Sequence, residues 1–185
     1  MQHKHGSPIV VVGMQKRYSP IIGILYKRLK KEKMVSYNLR YLAGAYPEGV
    51  ALTDLYIHPL DIVTYLFGGA KLIACERISS DSLMLILKHV EVTGMLELST
   101  EYSWKNAQET LSVCTQAGVY KIDNMEELTF MPRQGKICGI PLEKVFNRAN
   151  TVEYLYSRNN FSPILVNNQV YTQGFYTEIQ SFVNS

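Results

Sequence analysis

Cysteine is scarce in this sequence. Cys75, Cys114 and Cys138 are the whole supply, no two of them form a C-x-x-C pair, and their number is odd. That argues against a disulfide framework or a zinc site and for reduced thiols. No apolar run approaches the ~20 residues needed to span a bilayer, and no signal-peptide pattern opens the chain. Secretion and membrane spanning are therefore not expected, and a cytoplasmic location is. No G-x-G-x-x-G, P-loop or G-x-S-x-G motif occurs, so the chain has no recognisable nucleotide-binding loop or nucleophile elbow. It also has no internal repeat and no linker rich in Pro, Gly or Ser, which points to one domain.

The chain has 185 residues, 46% of them hydrophobic and 19% charged. That composition predicts a folded core rather than disorder. A chain of this length buries roughly 70% of the surface its unfolded form exposes. The formal charge of +3 is unevenly spread. Eight basic residues lie between Gln15 and Arg40 (Lys16, Arg17, Lys27, Arg28, Lys30, Lys31, Lys33 and Arg40) against the single acid Glu32, a local balance of +7 that leaves −4 for the remainder. Five of the eight cluster from Lys27 to Lys33, where a helix is expected to end and cations complement its dipole. A solvated helix end is the reading adopted, with neither nucleic acid nor membrane expected as a partner.

Pro8 to Met14 reads as a buried strand. Ser19-Pro20 has the pattern of an N-cap followed by proline at the first helical position, starting a helix to about Lys31. Met34 to Leu42 alternates as a strand, and 43–50 reads as a loop. A second helix is expected from Thr53 to about Phe67, stopped by Gly68-Gly69. From Ala70 to Met131 the runs 71–78, 82–92, 94–102, 109–116 and 118–123 are rich in strand-forming residues and separated by turn signals. They predict an antiparallel meander. Residues 132–170 are the least legible, with only Thr151 to Tyr156 strand-like, and Tyr171 to Val183 fits a helix with Phe175, Ile179 and Phe182 on one face. The fold class expected is α+β: an open, mainly antiparallel sheet with helices packed on one face. The other sheet face then needs cover, which suggests a homo-oligomer.

Asp54, His58, Asp61 and Tyr65 sit at i, i+4, i+7 and i+11 of the second helix, along one face at 3.6 residues per turn. A histidine between two carboxylates is a plausible proton-transfer unit, because imidazole titrates near neutral pH and a carboxylate orients it. Asp54 also stands where any carboxylate favours a helix start. Pro59, inside the expected helix, would remove a hydrogen bond to Leu55 and strain the turn after His58. A metal site from Asp54, His58 and His89 is not demanded by the spacing, and none is expected. The His3-x-His5 pair reads as a frayed terminus.

Two segments together resemble a known family. VVVGMQKRYSP at 10–20 is similar to the "VGfnrRfxP" segment of the glucose–fructose oxidoreductase / inositol dehydrogenase / MocA (Gfo/Idh/MocA) family, where the last Rossmann strand leads into the substrate domain. DLYIHPLDIVTYLFG at 54–68 resembles that family's D-x-x-x-H-x-x-D helix. GMLELSTEYSW, Glu109 and AGVYKIDN resemble its sheet, and GFYTEIQSF at 174–182 its "gfxxEixxF" helix, so the likeness covers nearly the whole chain.

The resemblance implies an NAD(P)-dependent oxidoreductase acting on a sugar, a cyclitol or a related hydroxyl compound. It implies that His58 is the general acid/base, that Asp54 binds substrate and orients His58, that Asp61 is supportive, and that Gln15 and Lys16 line the substrate pocket. The family's dinucleotide domain, with its Gly-rich turn and the lysine of an "EKP" motif, has no counterpart here. Residues 1–13 resemble only its last helix and strand, and 14–185 the substrate-binding and oligomerisation domain. The chain is thus expected to be a piece of a longer enzyme, inactive alone, with NAD or NADP held by a Rossmann domain in cis. The alternative is a natural stand-alone module that binds or assembles without catalysis.

Overall fold

The computed structural model describes residues 12–45, 50–137, 140–142, 151–159 and 168–184. A 3-10 turn, Gln15–Tyr18, runs directly into helix α1 (Pro20–Leu29) and then strand β1 (Met34–Leu42). Two helical pieces follow, α2 (Ala51–Asp54) and α3 (Ile57–Phe67). Six strands come next: β2 (Lys71–Arg77), β3 (Ser82–Lys88), β4 (Thr93–Ser99), β5 (Gln108–Thr115), β6 (Gly118–Asp123) and β7 (Glu127–Pro132). A small ribbon of β8 (Lys136–Ile137) and β9 (Ile140–Pro141) precedes β10 (Glu153–Ser157), and α4 (Gln169–Thr172) and α5 (Phe175–Val183) follow it.

The α+β class is observed. Eight strands form one open sheet in the order β10-β7-β6-β5-β1-β4-β3-β2. All neighbours are antiparallel except β1 and β4, which run parallel with Tyr37 opposite Gly94 and Leu39 opposite Leu96. The first strand therefore sits in the middle and divides the expected meander into two halves. Strand β7 lies beyond the runs anticipated from the sequence. It pairs with β6 from Gly118↔Pro132 to Asp123↔Glu127, and it extends the sheet to β10.

Alternation along the strands sends one set of side chains to a single core. Tyr37 and Leu39 of β1, Leu85 and Leu87 of β3, Leu96 and Leu98 of β4, Leu111 and Val113 of β5, and Tyr120 and Ile122 of β6 all belong to it. Helix α1 adds Ile21, Ile22, Leu25 and Leu29, and α3 adds Ile62, Val63, Leu66 and Phe67. Each such side chain taken fully out of water contributes ~1.5–3 kcal/mol. The opposite face presents Arg40 paired with Glu97 at 2.6 Å, and the cross-strand pair Ile86 and Met95, 40% and 38% exposed.

Local differences from the sequence reading have simple causes. Ser19 stands at the N-cap position of α1 with Pro20 at N1, but its hydroxyl donates to the Thr172 carbonyl oxygen at 2.6 Å instead of capping. Helix α3 ends at Gly68, whose φ of 83° is the left-handed conformation a glycine adopts without strain. The C-terminal helix is in two pieces, because Gly174 at φ 93° breaks it after α4. Phe175 and Ile179 of α5 are exposed.

The start of the strand expected at Pro8–Met14 lies outside the described residues, as do Cys138, His3, His5, 1–11 and most of 143–167; residues 12–14 are not strand. Cys75 and Cys114 are free thiols. Among the described residues no helix is long and apolar enough to cross a membrane.

Candidate functional site

His58 occupies the first turn of α3, whose N-cap is Tyr56, and its N–H donates to the Leu55 carbonyl at 3.2 Å. Pro59 is consequently the third residue of that helix rather than an interior one. The N–H it lacks is among the first four that have no intrahelical partner in any case. The strain expected next to His58 is absent for this reason.

The break at Leu55–Tyr56 also separates Asp54 from α3. Asp54 ends α2, where its carboxylate accepts from the Val50 N–H at 2.7 Å and from the Thr53 hydroxyl at 3.1 Å. Both oxygens face its own turn, so the ion-bearing neighbours of His58 lie elsewhere.

Those neighbours come from three other elements and from α3 itself. One turn after His58, Asp61 is 9% exposed and accepts two hydrogen bonds from Arg17, from Nε at 2.7 Å and from Nη2. This bidentate geometry is the strong form of an Arg–carboxylate contact. Arg17 also lies over the Tyr65 ring, which stacks on Tyr26. Lys16, one residue earlier in the 3-10 turn, donates to both carboxylate oxygens of Glu109 on β5, at 2.6 and 2.5 Å. Its ammonium stands 5.3 Å from the centre of the Tyr41 ring. From α5, Glu178 accepts the Met14 N–H at 2.7 Å. Gln15 is half-buried in the same turn, and a Cβ added at Gly174 would come within 2.0 Å of its carbonyl oxygen. Gly174 therefore lets α5 approach the turn that carries Gln15, Lys16 and Arg17.

Burial pushes the His58 imidazole below its ordinary pKa, and the Lys16 charge adds to this, while Glu109, Asp61 and Glu178 pull the other way. A histidine held down in this manner is neutral near pH 7 and can accept a proton. Of the five residues singled out from the sequence, the charges of Lys16 and Asp61 act on His58, Gln15 lies in the same turn as Lys16, and the Asp54 carboxylate binds its own turn. Glu109 and Glu178 were not identified as site residues. Glu109 had a signal, because it alternates with Leu111 and Val113 and so places an acid on the core side of a strand.

His89 belongs to the core. Its Nδ1–H donates to the Gly68 carbonyl at 2.7 Å, which leaves Nε2 to accept from the Tyr37 hydroxyl at 2.8 Å. Among the described residues no group of three or more His, Cys, Asp or Glu is placed to hold a metal ion. The sequence contains no glycine-rich dinucleotide turn, and the charged side chains around His58 are engaged with one another or with the backbone.

No family model matches the sequence, and a search of curated proteins finds no match. Solved structures do match. A dehydrogenase (MviM) from Clostridium difficile superimposes with a TM-score of 0.67 at 16% identity, covering 94% of this chain and 52% of that one. A dehydrogenase from Chromobacterium violaceum gives a TM-score of 0.70 at 12% identity with the same coverage. Levoglucosan dehydrogenase in complex with NADH and L-sorbose gives 0.70 at 14% identity, covering 91% of this chain and 54% of that one. The chain thus shares its fold with part of these dehydrogenases, and it spans about half their length.

Proposed function

We propose that this chain is the substrate-binding part of an NAD(P)-dependent oxidoreductase of the Gfo/Idh/MocA family, acting on a hydroxyl of a sugar, a cyclitol or a related compound. The observation that carries the proposal is His58: half-buried, its imidazole held below its ordinary pKa by burial and the Lys16 charge, and surrounded by charged groups delivered from the 3-10 turn, α3, β5 and α5. In this reading His58 takes the proton of the substrate hydroxyl during oxidation and returns it during reduction. Lys16 and Gln15 line the pocket. Asp54, exposed before α3, contacts a substrate hydroxyl, and Asp61 holds Arg17 in place. The hydride acceptor, NAD or NADP, is held by a dinucleotide domain elsewhere in the whole protein, so this segment is inactive alone. The outer sheet face, with Ile86 and Met95 at its surface, pairs with a second copy.

The test uses the native gene product, assayed with NAD(P)+ and a panel of neutral polyols. His58→Asn is expected to lower kcat by ~10²–10⁴. The wild-type oxidation rate should fall as pH drops through the lowered His58 midpoint, because protonation removes the base, and the Asn variant should lose that acid limb. A His58→Asn enzyme at full rate would sink the assignment.

A further inference from the structure

We propose that Glu109 is a positioning residue of this site: it fixes the Lys16 ammonium beside His58. The proposal rests on the reading of His58 as the proton-transfer group, and it assigns a task to a residue outside the helix that carries His58. The backbone of Glu109 is clamped first. Its N–H donates to Asn124 Oδ1 at 2.8 Å, and its carbonyl accepts the Asn124 N–H at 2.7 Å. Asn124 adopts φ 47° in the turn between β6 and β7, a left-handed conformation asparagine tolerates better than most residues.

Strand register then places Glu109 opposite Tyr41 of β1. Its alternation with Leu111 and Val113 sends the carboxylate to the core side of the sheet. There it meets Lys16 with two short hydrogen bonds, the two side chains being 11% and 19% exposed. The ring of Tyr41 lies against the same ammonium. Taking a lysine and a glutamate this far out of water gains little stability, because their desolvation offsets the attraction. What the pair provides is a fixed position for a charge, on a 3-10 turn that has no buried residue of its own.

Among the described residues, each of the four charged groups that act on His58 has a partner. Asp61 on its own helix is bound to Arg17, Glu178 on α5 to the Met14 N–H, and Lys16 to Glu109. Lys16 and Glu109 act on His58 in opposite senses.

The test is a pH titration of the His58 ring by NMR in this chain, with four variants forming a cycle. Lys16→Met is expected to move the His58 midpoint to higher pH. In the Glu109→Gln background the same Lys16→Met change is expected to produce a smaller shift, because an ammonium no longer held there has already left. An equal or larger Lys16→Met shift in that background would overturn the proposal, since Glu109 would then only balance charge. A Lys16→Met shift absent from the otherwise wild-type chain would overturn it too. If Glu109→Gln does not give a native amide spectrum, Glu109→Asp takes its place. Its carboxylate, one methylene shorter, should likewise reduce the shift. The titration needs neither cofactor nor substrate, so its failure is distinct from a full-rate His58→Asn enzyme.

Discussion

Replacing Arg17 with methionine removes the guanidinium from Asp61 while keeping an unbranched side chain of similar length in the 3-10 turn. Asp61 is 9% exposed and has Ile62 and Val63 of the core as its helix neighbours. Its two oxygens accept from Nε and Nη2 of Arg17, so the change leaves a buried carboxylate without its charged partner. Breaking a fully buried pair in this way costs ~3–5 kcal/mol. The Arg17 side chain is 40% exposed, so water already screens part of the interaction. We therefore expect a loss of roughly 2–3 kcal/mol. For a domain of this size, 1 kcal/mol corresponds to ~2–4 °C in Tm, so melting should fall by roughly 4–12 °C. Asp61→Asn keeps the shape and removes the charge, and the double variant should lose less than the sum of the two singles by ~1 kcal/mol or more. Urea unfolding monitored by circular dichroism measures all three. An Arg17→Met chain within ~0.5 kcal/mol of wild type, the range of an ordinary surface change, would refute the argument that this carboxylate depends on Arg17.

Gly174→Ala should be among the most damaging small substitutions, because the new Cβ would fall 2.0 Å from the Gln15 carbonyl oxygen and 2.8 Å from the Ser19 nitrogen at a φ of 93°. A loss of ~2 kcal/mol or more in urea unfolding is expected, from the backbone conformation and the forced displacement together. A stability equal to wild type would mean that α5 does not seat on the turn. The outer sheet face predicts self-association: light scattering at high concentration should give a multiple of the chain mass, and the double change Ile86→Lys with Met95→Lys should lower it. A wild-type monomer under those conditions removes the proposal that this face pairs.

The sequence made the helices and most strands readable because their signals are local. Runs rich in strand-forming residues marked β3 and β6, period-2 alternation marked β1, and Gly68 marked the end of α3 by the conformation only glycine adopts freely. What it concealed is non-local. Nothing within Met34–Leu42 indicates that β1 lies between β4 and β5 and runs parallel to one of them. Strand β7 was missed because Glu127–Pro132 ends in a proline, which reads as a break, although the end of a strand tolerates it. The site shows the same division. The four-residue spacing of Asp54 and His58 was legible, but the chain turns between them, and the carboxylate binds its own backbone. Glu109, the acid on the sheet whose charge acts on His58, is 51 positions away in sequence and was visible only as an acid in an otherwise apolar alternation.

The 3-10 turn explains why the site depends on charge rather than on packing. None of its residues is buried, so apolar contact cannot fix it, and it is held by directional polar bonds to four different elements. The Met14 N–H goes to Glu178 on α5, Lys16 to Glu109 on β5, Arg17 to Asp61 on α3, and the Ser19 hydroxyl just beyond the turn to the Thr172 carbonyl on α4. Each bond has a preferred length and angle, so together they set the position of the turn more narrowly than a greasy contact of equal strength would. Elements far apart in the sequence thereby place their charges around one imidazole. The core beneath, built by α1, α3 and the sheet, supplies the stability that lets this polar arrangement be retained although each ion pair in it gains little by itself.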